Sequence, residues 1–444
     1  MHDINLSAEK LVSALLNLAK TEKICILDSC GVGHLGSHLL IAGISPVESN
    51  ELSFDDPAET LSVLDKKLSD ANLAAIFTIS YDFGLLLHKI KPRLKEHETI
   101  PEPNVFVSLF DCLIIHNYDT GKTIASGNPA KTVEVASRLK DFDLQIGGTI
   151  SEGASVTSNF PKEEYLALID EIKERIRNGD TYQTNLTQQL HAILPNGLTA
   201  GRIFERLRRN NPAPFAAFLQ RFDSTVISAS PERFVQISTD ENSGARTIRT
   251  SPIKGTRPRG KTAEEDDELR QELLTSVKDR TENTMIVDLL RNDLGRVCEF
   301  GSVSVEKLCD LEEHPTLFHL VSTISGELLD NVKYSDILRA VFPCGSITGA
   351  PKQSTMQIID ELETVNRGLS MGAIGYRIPG ARFSVPASFD MSVAIRTMVI
   401  PGGCEAVFNV GGGITIDSDA ESEYEESLIK AESLMDAIGG SFFS

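Results

Sequence analysis

The spacing of apolar residues changes character several times along the chain. In PKEEYLALIDEIKERIRNGD (161–180), Tyr165, Ile169, Ile172 and Ile176 recur at four-three-four spacing. That period gathers them on one face of a helix, and Gly179 is placed to end it. TYQTNLTQQL (181–190) then alternates polar and apolar positions as a strand does. FAAFLQ, STVISAS and ERFVQIS (215–238) follow as a strand series suited to an antiparallel sheet. Acidic helices are expected over 263–296 and 419–437, with strands GAIGYRI, SFDMSVAIRTMVI and CEAVFNVGGGI between them. Earlier, KICILDSC (23–30) and NVFVSLFDCLIIHNY (104–118) read as strands, and PAETLSVLDKKLSDA (57–71) as a helix. The segment 144–160 is rich in Gly and Ser without apolar period and reads as a linker. It divides an N-terminal region, 1–150, from a main domain, 151–444. The pattern is α+β with predominantly antiparallel strands.

At 444 residues the chain is long for a single core, and two or three structural units are expected. No run of about 18 apolar residues predicts a membrane span, and MHDINLSAEK lacks the pattern of a secretory signal. Seven scattered cysteines without a C-x-x-C pair suggest neither a disulfide framework nor a zinc site, so a reducing cytoplasm is the simplest home. The net charge of −20 argues against nucleic acid as a partner. It does not argue against a small anion, because Arg249, Lys254, Arg257, Arg259 and Lys261 crowd one loop and reverse the local sign.

Each chemical candidate has a plain alternative. Glu282 stands on the first acidic helix, and Glu423 and Glu426 share a face of the second, four residues before Lys430. Such carboxylates suit a hard dication, but also a solvated face with an i,i+4 ion pair. Gly411, Gly412 and Gly413 follow a strand and could let backbone approach an anion, or simply make a turn. FPCGSITGAPK (342–352) offers the same choice around Thr348. Arg396, among apolar neighbours, needs an anionic partner from a ligand or from the protein itself. His319 suits a core residue as well as a catalyst. Lys254 lies between Pro252-Ile253 and Gly255-Thr256. An ordinary lysine is almost wholly protonated at pH 7, so a nucleophilic role needs burial or neighbouring positive charge.

Taken in order, GDTYQTNLTQ, SASPERF, PIKGTRPRG, ENTMIVDLLRNDLGRV, FHLVSTISGEL, FPCGSITGAPK, GAIGY, AIRTMVI, GGGIT and DSDAESEYEESLIKA resemble the chorismate-utilising enzymes. The resemblance runs over about 158–437 and is looser over 1–150. It implies two α/β subdomains whose antiparallel sheets pack as a central sandwich, with helices outside. Gln183 stands where water-adding relatives carry a lysine base, which favours ammonia as the nucleophile. Lys254 stands where anthranilate synthases resemble P-I-A-G-T, and a lysine there marks the branch of aminodeoxychorismate synthases. One departure is Cys344, where FPGGS is usual; if that position needs φ > 0, cysteine strains the loop.

By the same resemblance, Lys254 attacks C2 of chorismate as the C4 hydroxyl leaves, with Glu232 as proton donor. Ammonia then attacks C4 and expels the lysine from C2, so one difficult displacement is split in two. The resemblance further implies Mg²⁺ at Glu282 and Glu426, supported by Glu423, with Lys430 holding those carboxylates. Tyr376, Arg396 and Gly411–Gly413 would hold the enolpyruvyl carboxylate. His319, as a further catalytic residue, and Thr348 would face the ring, and Gly255, Thr256 and Gln183 would take part in binding the substrate. No glutaminase signature accompanies these motifs, so a separate glutamine amidotransferase subunit is expected to supply ammonia. ILDSCG (26–31) resembles the segment where relatives bind tryptophan. The rivals are an anthranilate synthase, an isochorismate or salicylate synthase, and a non-catalytic binding subunit; the intact set Glu232, Lys254, Glu282 and Glu426 argues against the last.

Overall fold

In a computed structural model, residues 1–442 are described apart from 34–37, 96–100, 141–152, 241, 315–316 and 384. Among the described residues, strands gather into one sheet of thirteen and one of ten. The named strand pairs are antiparallel except where Ser441–Phe442 runs beside Ser155–Ser158.

The two sheets face each other across a common core. Cys25, Ile41, Ile115, Leu219 and Val226 of the larger sheet pack with Ala74, Ile76, Phe110, Ile374 and Ile378 of the smaller. Helices Ala8–Leu18, Ala200–Asn210 and Ala420–Ile438 cover the outer face of the larger sheet. Helices Pro57–Leu68, Val277–Leu294 and Tyr334–Val341 cover the smaller. This is the sandwich with outer helices that the motifs implied. Alternation along each strand sends one set of side chains inward and the other to the helices, so both faces are apolar.

The helix predicted from four-three-four spacing runs Lys162–Arg177 and buries Tyr165, Ile169 and Ile172 completely. Each such side chain contributes about 1.5–3 kcal/mol of burial. Two expectations need correction. Residues 155–158 of the supposed linker form a strand against Leu190–Ile193, while 144–152 and the division at 150/151 lie outside the described residues. Strands from both sides of that division build each sheet, through Ile24–Asp28 beside Phe215–Gln220 and Ala74–Ile79 beside Ala373–Ile378. The acidic helix expected over 263–296 is two, Ala263–Thr275 and Val277–Leu294. Ser276, at ψ 110°, breaks the first and caps the second, its hydroxyl accepting from Asp279 N at 3.2 Å. The later acidic helix is intact at Ala420–Ile438, capped by Asp419 and ended by Gly439 at φ +63°.

Candidate active site

Lys254 is carried by strand Ile253–Pro258, which pairs with Leu317–Glu327 and slips register between Ile253 and Thr256. A bulge of this kind re-aims a side chain. Gly255 makes it possible: its φ is +88°, and a Cβ there would stand 2.9 Å from both Asp279 and Leu273. The Lys254 ammonium donates to the Ser346 carbonyl at 3.3 Å. Across the site, strand Glu405–Ile414 brings Gly413 opposite Asn185. A Cβ on Gly413 would lie 3.5 Å from Lys254 Nζ and 2.0 Å from Gln183 Nε2. The glycine therefore makes room for both side chains.

Carboxyl groups surround this amine. Glu232, only 4 % exposed, follows strand Ser224–Ser230. Burial pushes its carboxyl up to about 7, against the opposing effects of the Ser346 hydroxyl and the Lys254 charge. Burial likewise raises the Glu282 carboxyl, offset in part by Lys254 and Lys278. Burial also acts on Glu426, but Lys430, Lys278 and Lys254 together outweigh it and hold that carboxyl low. Glu423 receives the Ser418 hydroxyl at 2.7 Å, and Lys278 lies 3.5 Å away. Lys430 pairs with Glu426 at 2.7 Å and donates to the Gly411 carbonyl at 3.0 Å. A Cβ on Gly412 would stand 3.0 Å from Glu423 Oε2. Within this group, Gln183 Oε1, Glu232 Oε1 and Glu282 Oε1 are buried acceptors with no protein partner. Such atoms mark where a ligand completes the network.

The remaining predicted residues divide. His319 and Thr256 are directly paired, Nδ1 to Oγ1 at 2.9 Å, on adjoining strands. Thr348 is fully buried, but its hydroxyl donates into its own turn, to Cys344 O at 3.1 Å and Gly345 O at 3.3 Å. Arg396 is not inside a strand: it sits in the connection between Ser388–Val393 and Thr397–Pro401 at φ +50°, 3.4 Å from Ser433 Oγ. Tyr376 lines a cavity of about 40 Å³ between the sheets, with Asp28, Ser29, Phe215, Asp390 and Ser392. Its strand alternates, so Tyr376 shares the inter-sheet face with Ile374 and Ile378.

The positive loop is also not what its composition suggested. Arg249 pairs with Glu306, Arg257 with Glu272 and Asp279, and Arg259 with Asp266. Those arginines are neutralised by the chain's own acids, and Lys254 has carboxyls for near neighbours instead. Cys344 has φ −58°, so the position does not require glycine and its cysteine is unstrained. Sequence reasoning passed over Lys278, four residues before Glu282, and the pair Glu363–Arg367. Glu363 accepts from Thr187 N and Oγ1, while Arg367 donates to Asn185 O at 2.7 Å and Ile347 O at 3.1 Å. That brace ties the Gln183 strand to the turn that holds Lys254.

Sequence comparison places these residues in a known family. The model for chorismate binding enzymes matches residues 34–436. The chain belongs to that family. It is 34% identical over 432 residues to aminodeoxychorismate synthase component 1 of Escherichia coli (strain K12), covering 94% of this chain and 89% of that protein. It is equally 34% identical over 432 residues to an anthranilate synthase component 1 of Haloarcula marismortui, covering 89% and 82%. The crystal structure of anthranilate synthase component I from Streptococcus pneumoniae TIGR4 superposes with a TM-score of 0.77 at 26% identity, covering 91% of this chain and 93% of that one. Identity alone therefore does not separate the two activities, and the site residues must.

Proposed function

We propose that the chain aminates chorismate to 4-amino-4-deoxychorismate, as component 1 of an aminodeoxychorismate synthase. The single observation that carries this reading is Lys254 itself, an amine set between Gln183, Gly413, Glu232 and the Ser346 carbonyl. The branch that makes anthranilate resembles alanine there, and water-adding relatives carry a lysine where this chain has Gln183.

In the proposed sequence, the Lys254 ammonium first gives a proton to solvent; the neutral Nζ then forms a bond to C2 of chorismate, and the ring double bond shifts as the C4 oxygen departs. Glu232 gives that oxygen a proton and water leaves. Glu232 suits the task because burial keeps its proton on up to about pH 7. Ammonia then bonds to C4, the double bond shifts back, and the C2–N bond to Lys254 breaks. A proton lost from the entering nitrogen restores the starting charges. The enolpyruvyl group stays on the product.

Mg²⁺ is part of this reading. Among the described residues, no three His, Cys, Asp or Glu side chains form a ready cage. Mg²⁺ usually keeps waters and takes only one or two carboxylates plus substrate oxygens, so the unpartnered Glu282 Oε1, with Glu426 and Glu423 nearby in charge, fits it. When bound, the ion would grip the ring carboxylate and offset its charge. The ammonia source is read as a separate glutamine amidotransferase, in keeping with the "component 1" of the relatives' names. Tryptophan fares less well. The inter-sheet cavity of about 40 Å³ holds little more than water. Asp28 within it is already held by Arg208 at 2.6 Å and Tyr118 at 2.7 Å.

The test is product analysis with chorismate, Mg²⁺ and ammonium. The reading expects a 4-amino product that retains its enolpyruvyl group. Stoichiometric pyruvate would instead identify an anthranilate synthase, and turnover without ammonium a water-adding enzyme.

A further inference from the structure

The turn Gly345–Ile347 carries more than a loop's share of contacts. Cys344 Sγ lies 3.2 Å from Ser346 Oγ, and both side chains are buried. The Ser346 carbonyl, on the same residue, receives the Lys254 ammonium at 3.3 Å. Its hydroxyl is close enough to Glu232 to favour that group's charged form, while Glu232 Oε1, on a side chain more than nine-tenths buried, still has no protein partner. One residue thus stands between the amine and the acid.

Either atom of the Cys344–Ser346 contact could be the donor. Burial pushes the Cys344 thiol up to about 12, and the Glu232 charge adds to this. Hydrogen bonds from the Ser346 side chain and backbone act in the opposite sense, as does Lys352, itself bound to Asp293 at 2.7 Å, but burial outweighs them. The sulfur therefore keeps its hydrogen throughout the working pH range. With its hydrogen in place the thiol has one hydrogen to give; given to Ser346 Oγ, it leaves the serine's own hydrogen for Glu232. The groups facing Glu232 are Lys254 and the Ile253 N–H on one side, and Ser346 with Cys344 on the other.

We propose that Cys344 and Ser346 form a positioning pair: the thiol turns the Ser346 hydroxyl onto Glu232 while the Ser346 carbonyl holds Lys254, so one short turn sets both acid and nucleophile. This deepens the reading of Glu232 as proton donor and rests on it.

The experiment compares pH–rate profiles for chorismate consumption with ammonium and Mg²⁺ in wild type, Ser346→Ala, Cys344→Ala and Cys344→Ser. Ammonium titrates identically in all four, so differences belong to the protein. Activity falls at high pH as Glu232 loses its proton. Ser346→Ala removes a donor to the charged carboxylate, and the falling limb is expected to move to higher pH by about one pH unit. Cys344→Ala should move it in the same direction by less, with kcat lowered by roughly threefold to tenfold and KM unchanged. Cys344→Ser keeps a donor and should restore the wild-type profile. An unmoved limb in both alanine variants, with the 4-amino product still formed, overturns the positioning pair alone. Lower activity with an unmoved limb marks a packing effect and overturns it as well. If wild type forms no such product, this proposal and the function beneath it fall together.

Discussion

Gly413→Ala isolates the geometry of the site from its chemistry, because the substitution adds one methyl and no charge. The new Cβ would stand 2.0 Å from Gln183 Nε2. Ordinary contact begins at 3.4 Å, so the amide must retreat by about 1.4 Å. Gln183 is only 2 % exposed and cannot swing into solvent. Lys254 Nζ, at 3.5 Å from the same point, just keeps contact distance but loses its freedom to approach. Overpacking of this kind costs about 1–3 kcal/mol, which in a protein of this size lowers Tm by less than about 5 °C. Misplacement by about 1 Å next to the reacting centre costs on the order of 10²-fold in rate. The expectation is therefore a large loss in kcat/KM for chorismate with a nearly unchanged melting curve. Wild-type turnover in the variant would refute the claim that Gly413 clears space for the amine, and a collapse in Tm would show that the glycine serves folding instead.

Other consequences follow from particular groups. Glu232 carries a proton in the fold up to about pH 7 that the unfolded chain releases near 4.5, so its contribution to stability declines as pH rises through that window. Glu232→Gln should flatten this part of the Tm-against-pH curve and abolish product formation; an unchanged slope would contradict the burial argument. Glu363 and Arg367 are each almost fully buried and paired at 2.6 Å, so Glu363→Gln should cost about 3–5 kcal/mol, read as a large fall in Tm. A shift of only a degree or two would show that the brace is dispensable. Millimolar tryptophan should leave Tm unmoved, because the cavity beside Asp28 is small and its carboxylate already engaged; a clear rise would show that the walls open.

How far the sequence carried is clearest at single elements. The stripe Tyr165–Ile169–Ile172 was legible because burial of one helical face imposes its own period. The antiparallel strands were legible from alternation, and the sandwich from the family resemblance that the ordered motifs carry. The break at Ser276 was not, since acidic residues continue through it and a serine within a helical run gives no unambiguous stop. The electrostatics around Lys254 could not be read from the loop, because the acids that neutralise Arg249, Arg257 and Arg259 lie seven to fifty-seven residues away in sequence. Ser346 acts partly through its carbonyl, which every residue possesses, so no side-chain pattern could single it out.

The central claim is that the Lys254 amine becomes covalently bound to the ring during turnover. Intact-protein and peptide mass spectrometry on enzyme quenched with chorismate and Mg²⁺, but without ammonia, tests it most directly. The account predicts an added mass equal to chorismate less one water, located on the peptide containing Lys254 and absent from Lys254→Ala, which should also fail to make the 4-amino product. A Lys254→Ala variant that forms that product at the wild-type rate, with no adduct detectable in either protein, would contradict it.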